Sequence, residues 1–114
     1  MDYSWLEGIA AKIFVVDANL DLIYVNPAGA SEFGGAEKIT GKNIMDCHNE
    51  TSRKMIMQFV EKFKNGARDT ISYIQKREDG THRLRVYAPL VKDGQYAGMV
   101  EMLFKVEGQK DAQL

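Results

Sequence analysis

In the stretch "NIMDCHNE" (43–50), Cys47-His48 joins the only cysteine of the chain to one of its two histidines. A thiol at a helix start could act as a redox sensor, because the positive end of a helix lowers a thiol pKa and stabilises the thiolate. The pair could also ligate a metal, but two adjacent residues supply at most two of the four donors that a zinc site wants. Only His82 or a carboxylate such as Asp46 could complete the set, from elsewhere in the fold. The structural reading is simpler. Cys47 is then a small buried hydrophobe, and His48, beside the helix start, bonds a backbone group or lies in solvent. It is the favoured reading, since reactivity requires exposure as well as a helix terminus.

The elements that would position this pair must be built by a chain of 114 residues, which predicts one domain. Its 45% hydrophobic content supports a packed core without disulfide staples, and one cysteine excludes an internal disulfide. A lone thiol suits a reducing cytoplasm. No apolar run approaches the roughly 20 residues of a membrane helix, and no signal peptide is expected. The 15 basic and 16 acidic residues are scattered without a basic stripe, which argues against nucleic acid as a partner.

Along the chain, residues 1–11 predict a short amphipathic helix carrying Trp5, Leu6 and Ile9 at helical spacing, weakened by Gly8. Two strands follow, Ile13–Val16 and Leu22–Val25, joined by an Asp-rich turn. Asn26-Pro27 then caps and opens a short helix that Gly34-Gly35 interrupts. Residues 36–48 read as short turns. In residues 49–66, Met55, Ile56, Phe59, Val60 and Phe63 form one apolar stripe, with Asn49 as cap and Asn65-Gly66 as stop. Three strands complete the order, over 70–77, 82–90 and 96–106.

Pairing Arg77 with His82 would put Ile71, Tyr73, Val86 and Ala88 on a core face, leaving Arg83 and Arg85 outside. The last strand admits two registers. A strict two-residue turn at Asp93-Gly94 sets Glu101 inward opposite Val86. A bulge turns Val100, Met102 and Phe104 to that side instead. If those three face outward, Trp5, Leu6 and Ile9 could cover them. The fold class is therefore α+β: a five-stranded antiparallel sheet with short helices and one longer helix on one face, plus the N-terminal helix.

At this point the sequence resembles the PAS sensory domains. The residues that carry the resemblance are "IFVVDANLDLIYVNPAGASEFG" (13–34), "ITGKN" (39–43) and "DGTHRLRVYAPLVKDGQYAGMVEM" (79–102). The resemblance covers about residues 12–106, leaving 107–114 as a polar tail. The run "CHNETSRKMIMQFVEKFKNGARD" (47–69) is similar to PAS modules found beside hemerythrin-like domains. The resemblance implies a sensory or interaction module that holds a small ligand between sheet and short helices. It implies signalling through the outer sheet face and flanking helices, often as a homodimer. Where the family commonly ends in Asp-Ile-Thr, this chain has Lys105-Val106-Glu107. An effector in trans, or in a longer chain, is therefore expected.

The resemblance also frames the cofactor question. Flavin-binding light sensors of this superfamily place a cysteine at the third position after the Gly, where Ile44 stands here, so a photoreactive flavin adduct is not expected. Haem-binding relatives use a histidine about three turns before the Gly that ends the long helix; that position is Met55. Haem is permitted by residue type but not favoured by position. The cofactor stays unknown.

The pocket candidates are Phe33, Ile44, Met55, Phe59, Tyr73 and Val86 as walls, with Glu101 as a polar anchor. Cys47 and His48 are redox or metal candidates, and Trp5, Leu6 and Ile9 are dimer-interface candidates. The internal methionines are read first as core filler and second as an adaptable pocket lining. There is no Gly-rich phosphate loop, no nucleophile elbow and no histidine–carboxylate metal spacing, so no catalytic role is assigned. The reading is a small-molecule sensor. Its rivals are a ligand-free interaction module and a haem or thiol redox sensor.

Overall fold

A computed structural model describes residues 4–106, apart from the side chains of Ser4 and Leu6. The polar tail and the expected packing of Leu6 lie outside the described residues. The strands are β1 (Lys12–Asp17), β2 (Leu22–Val25), β3 (Ile71–Lys76), β4 (His82–Lys92) and β5 (Gln95–Val106). The helices are α1 (Pro27–Ala30), α2 (Ala36–Ile39) and α3 (Glu50–Lys64), with 3₁₀ turns at Ser4–Gly8, Ser31–Phe33 and Ile44–Cys47. The sheet runs β2-β1-β5-β4-β3 with every neighbour antiparallel. Among the described residues no helix is long and apolar enough to cross a membrane.

The amphipathic stripe of α3 drives one half of the core. Ile56, Phe59, Val60 and Phe63 are buried against Val16, Leu22, Tyr87 and Met99 of the sheet. Asn49 accepts from Ser52 N at 2.9 Å and starts the helix; Gly66, at φ 104°, supplies the turn beyond its end.

Asn26 fastens the N-terminal side of the domain. It is fully buried, yet its side chain is satisfied. Oδ1 accepts from Ile13 N at 3.0 Å and from Gly29 N at 2.9 Å, while Nδ2 donates to Ala11 O at 2.8 Å and Ile9 O at 3.3 Å. One amide thus caps α1 and ties it to the entry of β1.

The β1–β2 turn anchors the segment that faces the sheet. Asn43 Nδ2 donates to Asn19 O at 2.7 Å and Asp21 Oδ1 at 3.0 Å, and its Oδ1 accepts from Met45 N at 3.0 Å. Backbone bonds Leu22 N to Lys42 O, Gly41 N to Leu22 O and Ile44 N to Leu20 O add to this stitching. The run from Gly41 to Ile44 is therefore held by hydrogen bonds rather than by apolar packing alone.

Three expectations need correction. The N-terminal segment is a single 3₁₀ turn, not an amphipathic helix. Five residues ending in Gly8 are too short to present a stripe, and Trp5 and Ile9 stay 72% and 36% exposed. They do not bury against the sheet.

Second, β3 and β4 pair Lys76 with His82, one residue away from the expected register. The connection holds five residues, closed by Arg77 N to Thr81 O at 2.9 Å and Gly80 N to Arg77 O at 3.0 Å. A one-residue slip reverses every side chain. Tyr87, Arg85 and Arg83 therefore share the face of α3 and the core, opposite Ile71, Tyr73 and Gln75, while Val86 and Ala88 look outward.

Third, β5 uses both devices offered for it. Asp93 and Gly94 take positive φ values of 52° and 76°, as a type I′ turn demands, and Lys92 pairs with Gln95. A shift of one residue then lies between Leu90 and Val91, so Leu90 meets Gly98 and Tyr87 meets Glu101. Val86 does pair with Met102, as the bulged register requires, but on the outer face. Met99, Glu101 and Leu103 consequently face inward. Gly98 is obligatory at this crossing: at φ 147°, a Cβ would sit 2.2 Å from Val16 O.

Candidate functional site

A cleft of about 620 Å³ opens between the inner sheet face and the segment from Glu32 to His48. Phe14 and Val16 from β1 and Met99 and Leu103 from β5 make its sheet wall; Phe33, Ile39 and Ile44 make the facing wall. Phe14 and Phe33 meet edge to face with centroids 6.3 Å apart, which joins the two walls at one end. The opposite character comes from β4 and the β3–β4 loop, where Arg83, Arg85 and Arg77 reach the cleft beside Glu101.

Arg85 and Glu101 set the electrostatics. Arg85 Nη1 donates to Glu101 Oε1 at 2.8 Å, and Arg85 Nε donates to Gln75 Oε1 at 3.1 Å. The two charged side chains are 22% and 14% exposed, so each depends on the other for compensation. Burial, then the Glu101 carboxylate, then Tyr73 push the Tyr87 phenol well above its ordinary pKa, keeping that ring neutral beneath the ion pair.

Cys47 and His48 stand at the edge of the cleft on the turn into α3. His48 Nδ1 lies 2.6 Å from Ile44 O, and Cys47 Sγ donates to the same carbonyl at 3.2 Å. A carbonyl only accepts, so Nδ1 carries the ring proton and has no lone pair for the thiol. Sγ and Nδ1 are 3.9 Å apart. Through Nδ1 the pair is therefore not a nucleophile with its base. Both side chains close the 3₁₀ turn at Ile44, and Nε2 is the ring nitrogen left available. Cys47 itself is exposed rather than buried. Among the described residues, no three His, Cys, Asp or Glu side chains come together to hold a metal. His82, one of the residues suggested to complete such a set, falls on the outer face by the alternation of β4.

The cleft thus collects Phe33, Ile44, Glu101, Cys47 and His48 from the expected residues. Met55, Phe59 and Tyr73 lie elsewhere, at the core between α3 and the sheet. There Phe59 packs on Tyr87 at 4.8 Å between centroids, and Tyr73 stacks on Tyr87 at 6.3 Å. Val86 is on the outer face, a correction that follows from the register. Sequence reasoning missed Arg83 and Arg85. An inward Glu101 was the available signal: a carboxylate on a core face needs a cation on the neighbouring strand.

The profile of a family described as "PAS domain" matches residues 4–107. Among solved structures, a C-terminal domain from Streptococcus mutans superposes with a TM-score of 0.74 at 22% identity, covering 90% of this chain and 80% of that one. The PAS domain of BvgS from Bordetella pertussis gives 0.71 at 17% identity, over 93% and 84% of the two chains. A sensory box sensor histidine kinase from Vibrio cholerae gives 0.69 at 17%, over 93% and 89%. At these identities the likeness carries the fold. No curated protein matches the chain.

Proposed function

The chain belongs to the PAS domain family of sensory, signal-transduction modules, and on that premise we propose that it senses a small molecule bound between the inner sheet face and residues 33–48. The cleft carries this reading. Its volume of about 620 Å³ falls within the range of small-molecule sites, and its apolar walls meet a polar side made by Arg77, Arg83, Arg85 and Glu101. Phe33 and Ile44 act as walls and Glu101, held by Arg85, as a polar anchor.

The output is proposed to travel through β5. Met99, Glu101 and Leu103 face the cleft, while Val100, Met102 and Phe104 alternate with them on the outer face. A shift of β5 at Glu101 is felt directly by that outer face. A homodimer is proposed to form there with help from the N-terminal turn, where Trp5 is 72% exposed and Ile9 is also at the surface. The effector is a partner in trans or a further part of a longer chain, in a cytoplasmic setting. The Cys47-His48 entry into α3 supports a kinship with PAS modules beside hemerythrin-like domains.

His48 supports a second reading. Metal-bound histidines commonly donate one ring N–H to a carbonyl, as His48 Nδ1 does to Ile44 O, and use the other nitrogen as ligand. His48 Nε2 would then hold a haem iron at the cleft edge. The rival to both is an interaction module whose cleft has no ligand.

The absorption spectrum and native mass of freshly purified protein separate them. A bound apolar mass that is lost in Ile44→Trp is the expected result. A Soret band lost in His48→Ala would establish the haem reading instead. Protein that carries no adduct and gains no thermal stability from a small-molecule screen would leave only the interaction module.

A further inference from the structure

The charges around the cleft are unequally committed. Glu101 is neutralised by Arg85, and Glu32 is paired with Lys12 at 3.1 Å. What remains facing the cleft is Lys42, Arg77 and Arg83 against Asp46. Arg83 is half-buried, and among the described residues its guanidinium makes no hydrogen bond or ion pair. The exposed Asp79 is an electrostatic neighbour of Arg83. Thr81 first, and Arg77 and Arg83 last, hold that carboxyl below the ordinary range. Arg85 spends Nε on Gln75 and Nη1 on Glu101, leaving Nη2 without a partner among the described residues.

Arg83 and Arg85 stand two residues apart on the inner face of β4, so their Cα atoms are separated by about 7 Å. Two long guanidinium side chains at that spacing can converge on one planar anion, and bidentate acceptance by a carboxylate suits their fork geometry. Phe14, Phe33, Ile44 and Met99 give the cleft apolar surface beside the two arginines, and Lys42 and Arg77 add further donors to the lining.

We infer that the ligand of this cleft is an amphipathic carboxylic acid, its carboxylate held by Arg83 and Arg85 and its aliphatic or aryl body laid between Phe14, Phe33, Ile44 and Met99. The inference rests on the cleft reading above and adds the chemical class. A cationic ligand would find one uncommitted carboxylate, Asp46, against three uncommitted cations. A polyphosphate would bring too much polar mass against the apolar walls. Glu101 keeps its place in this scheme, since Arg85 offers the acid its second nitrogen.

Matched head groups test it: 4-phenylbutyrate, 4-phenylbutanol and 4-phenylbutylamine, with decanoate, decanol and decylamine, titrated into the whole chain by calorimetry. Wild type, Arg83→Gln, Arg83→Lys and Ile44→Trp are compared. The acids are expected to bind about tenfold or more tighter than the alcohols, and the amines weakest. Arg83→Gln should weaken the acids by about tenfold and leave the alcohols unchanged, and Arg83→Lys should recover part of the loss. Alcohols or amines that bind wild type as tightly as the acids, with all binding lost in Ile44→Trp, would overturn the acid class while the cleft reading stands. Arg83→Gln that folds and binds the acids unchanged would do the same. Binding of none of the probes, or binding indifferent to Ile44→Trp, would overturn both. The head-group comparison on wild type does not depend on any variant folding.

Discussion

Arg85 Nη1 lies 2.8 Å from Glu101 Oε1 on the inner face of the sheet, joining β4 to β5 by a diagonal pair. Removing one member leaves the other's charge largely buried without its partner. Arg85→Met or Glu101→Met should each cost about 2 kcal/mol, below the range for a fully buried pair because both retain some exposure. The double variant should lie within about 1 kcal/mol of wild type. Urea denaturation of the four proteins measures the coupling; additive losses would show that the pair contributes nothing specific.

Asn26→Ala should destabilise the domain by at least about 2 kcal/mol, because it strands two buried N–H donors and two carbonyls together. Asn26→Asp should be as harmful, since a carboxylate oxygen would face the carbonyls of Ala11 and Ile9. Asn19→Ala, at an exposed position, is the control and should fall within about 0.5 kcal/mol of wild type. Equal melting temperatures for the Asn26 and Asn19 variants would refute the role given to Asn26.

Gly98→Ala should disrupt the β1–β5 pairing at a cost of roughly 3 kcal/mol or more. Its Cβ would meet Val16 O at 2.2 Å, and the backbone there is already in a region that favours glycine. Gly8→Ala meets nothing within 4 Å and should be close to neutral. Thermal melts of the two variants decide the matter.

Stability should fall at alkaline pH. Tyr87 has a raised phenol pKa from burial and from Glu101, so the folded state holds that proton more tightly than the unfolded chain does. The associated stability is present below the unfolded tyrosine value of about 10 and is lost as pH rises beyond it. Tyr24 and Tyr96, raised chiefly by burial, act in the same direction. Tyr87→Phe should therefore flatten part of the decline in urea midpoint above about pH 10. A variant with the full wild-type decline would contradict this assignment.

Cys47 should be alkylated stoichiometrically by iodoacetamide in the native protein, because its side chain is exposed at the cleft edge. Cys47→Ser should keep the fold and the stability to within about 0.5 kcal/mol. Resistance of the thiol until denaturation would place it in the interior instead.

The order of elements was legible because the turn residues and caps are local signals: Asn26-Pro27, Asn49, Asn65-Gly66 and Asp93-Gly94 each act where they stand. The inner face of the last strands was not. Ile71 and Tyr73 alternate with Ser72 and Ile74, and Val86 and Ala88 with Arg85 and Tyr87, so both faces of β3 and β4 carry apolar residues. A connection of four or five residues then decides the register, and the hydrogen bond from Arg77 N to Thr81 O decides for five. That choice turned two arginines into the cleft and Val86 out of it. Phe33 and Ile44 were legible because the short helices hold few large apolar residues. Met55 and Phe59 were misplaced because a helix stripe does not tell which part of a sheet lies beneath it.

The central claim is that the cleft between the inner sheet face and residues 33–48 takes a small molecule. Amide chemical-shift mapping of the whole chain, titrated with a set of small aryl acids, alcohols and amines, tests it most directly. The expected result is saturable shifts centred on Phe14, Phe33, Ile44 and Glu101, with weaker ones at Val100 and Met102 on the same strand. Shifts that never appear, or that gather around the exposed face of α3 or Trp5, would contradict it.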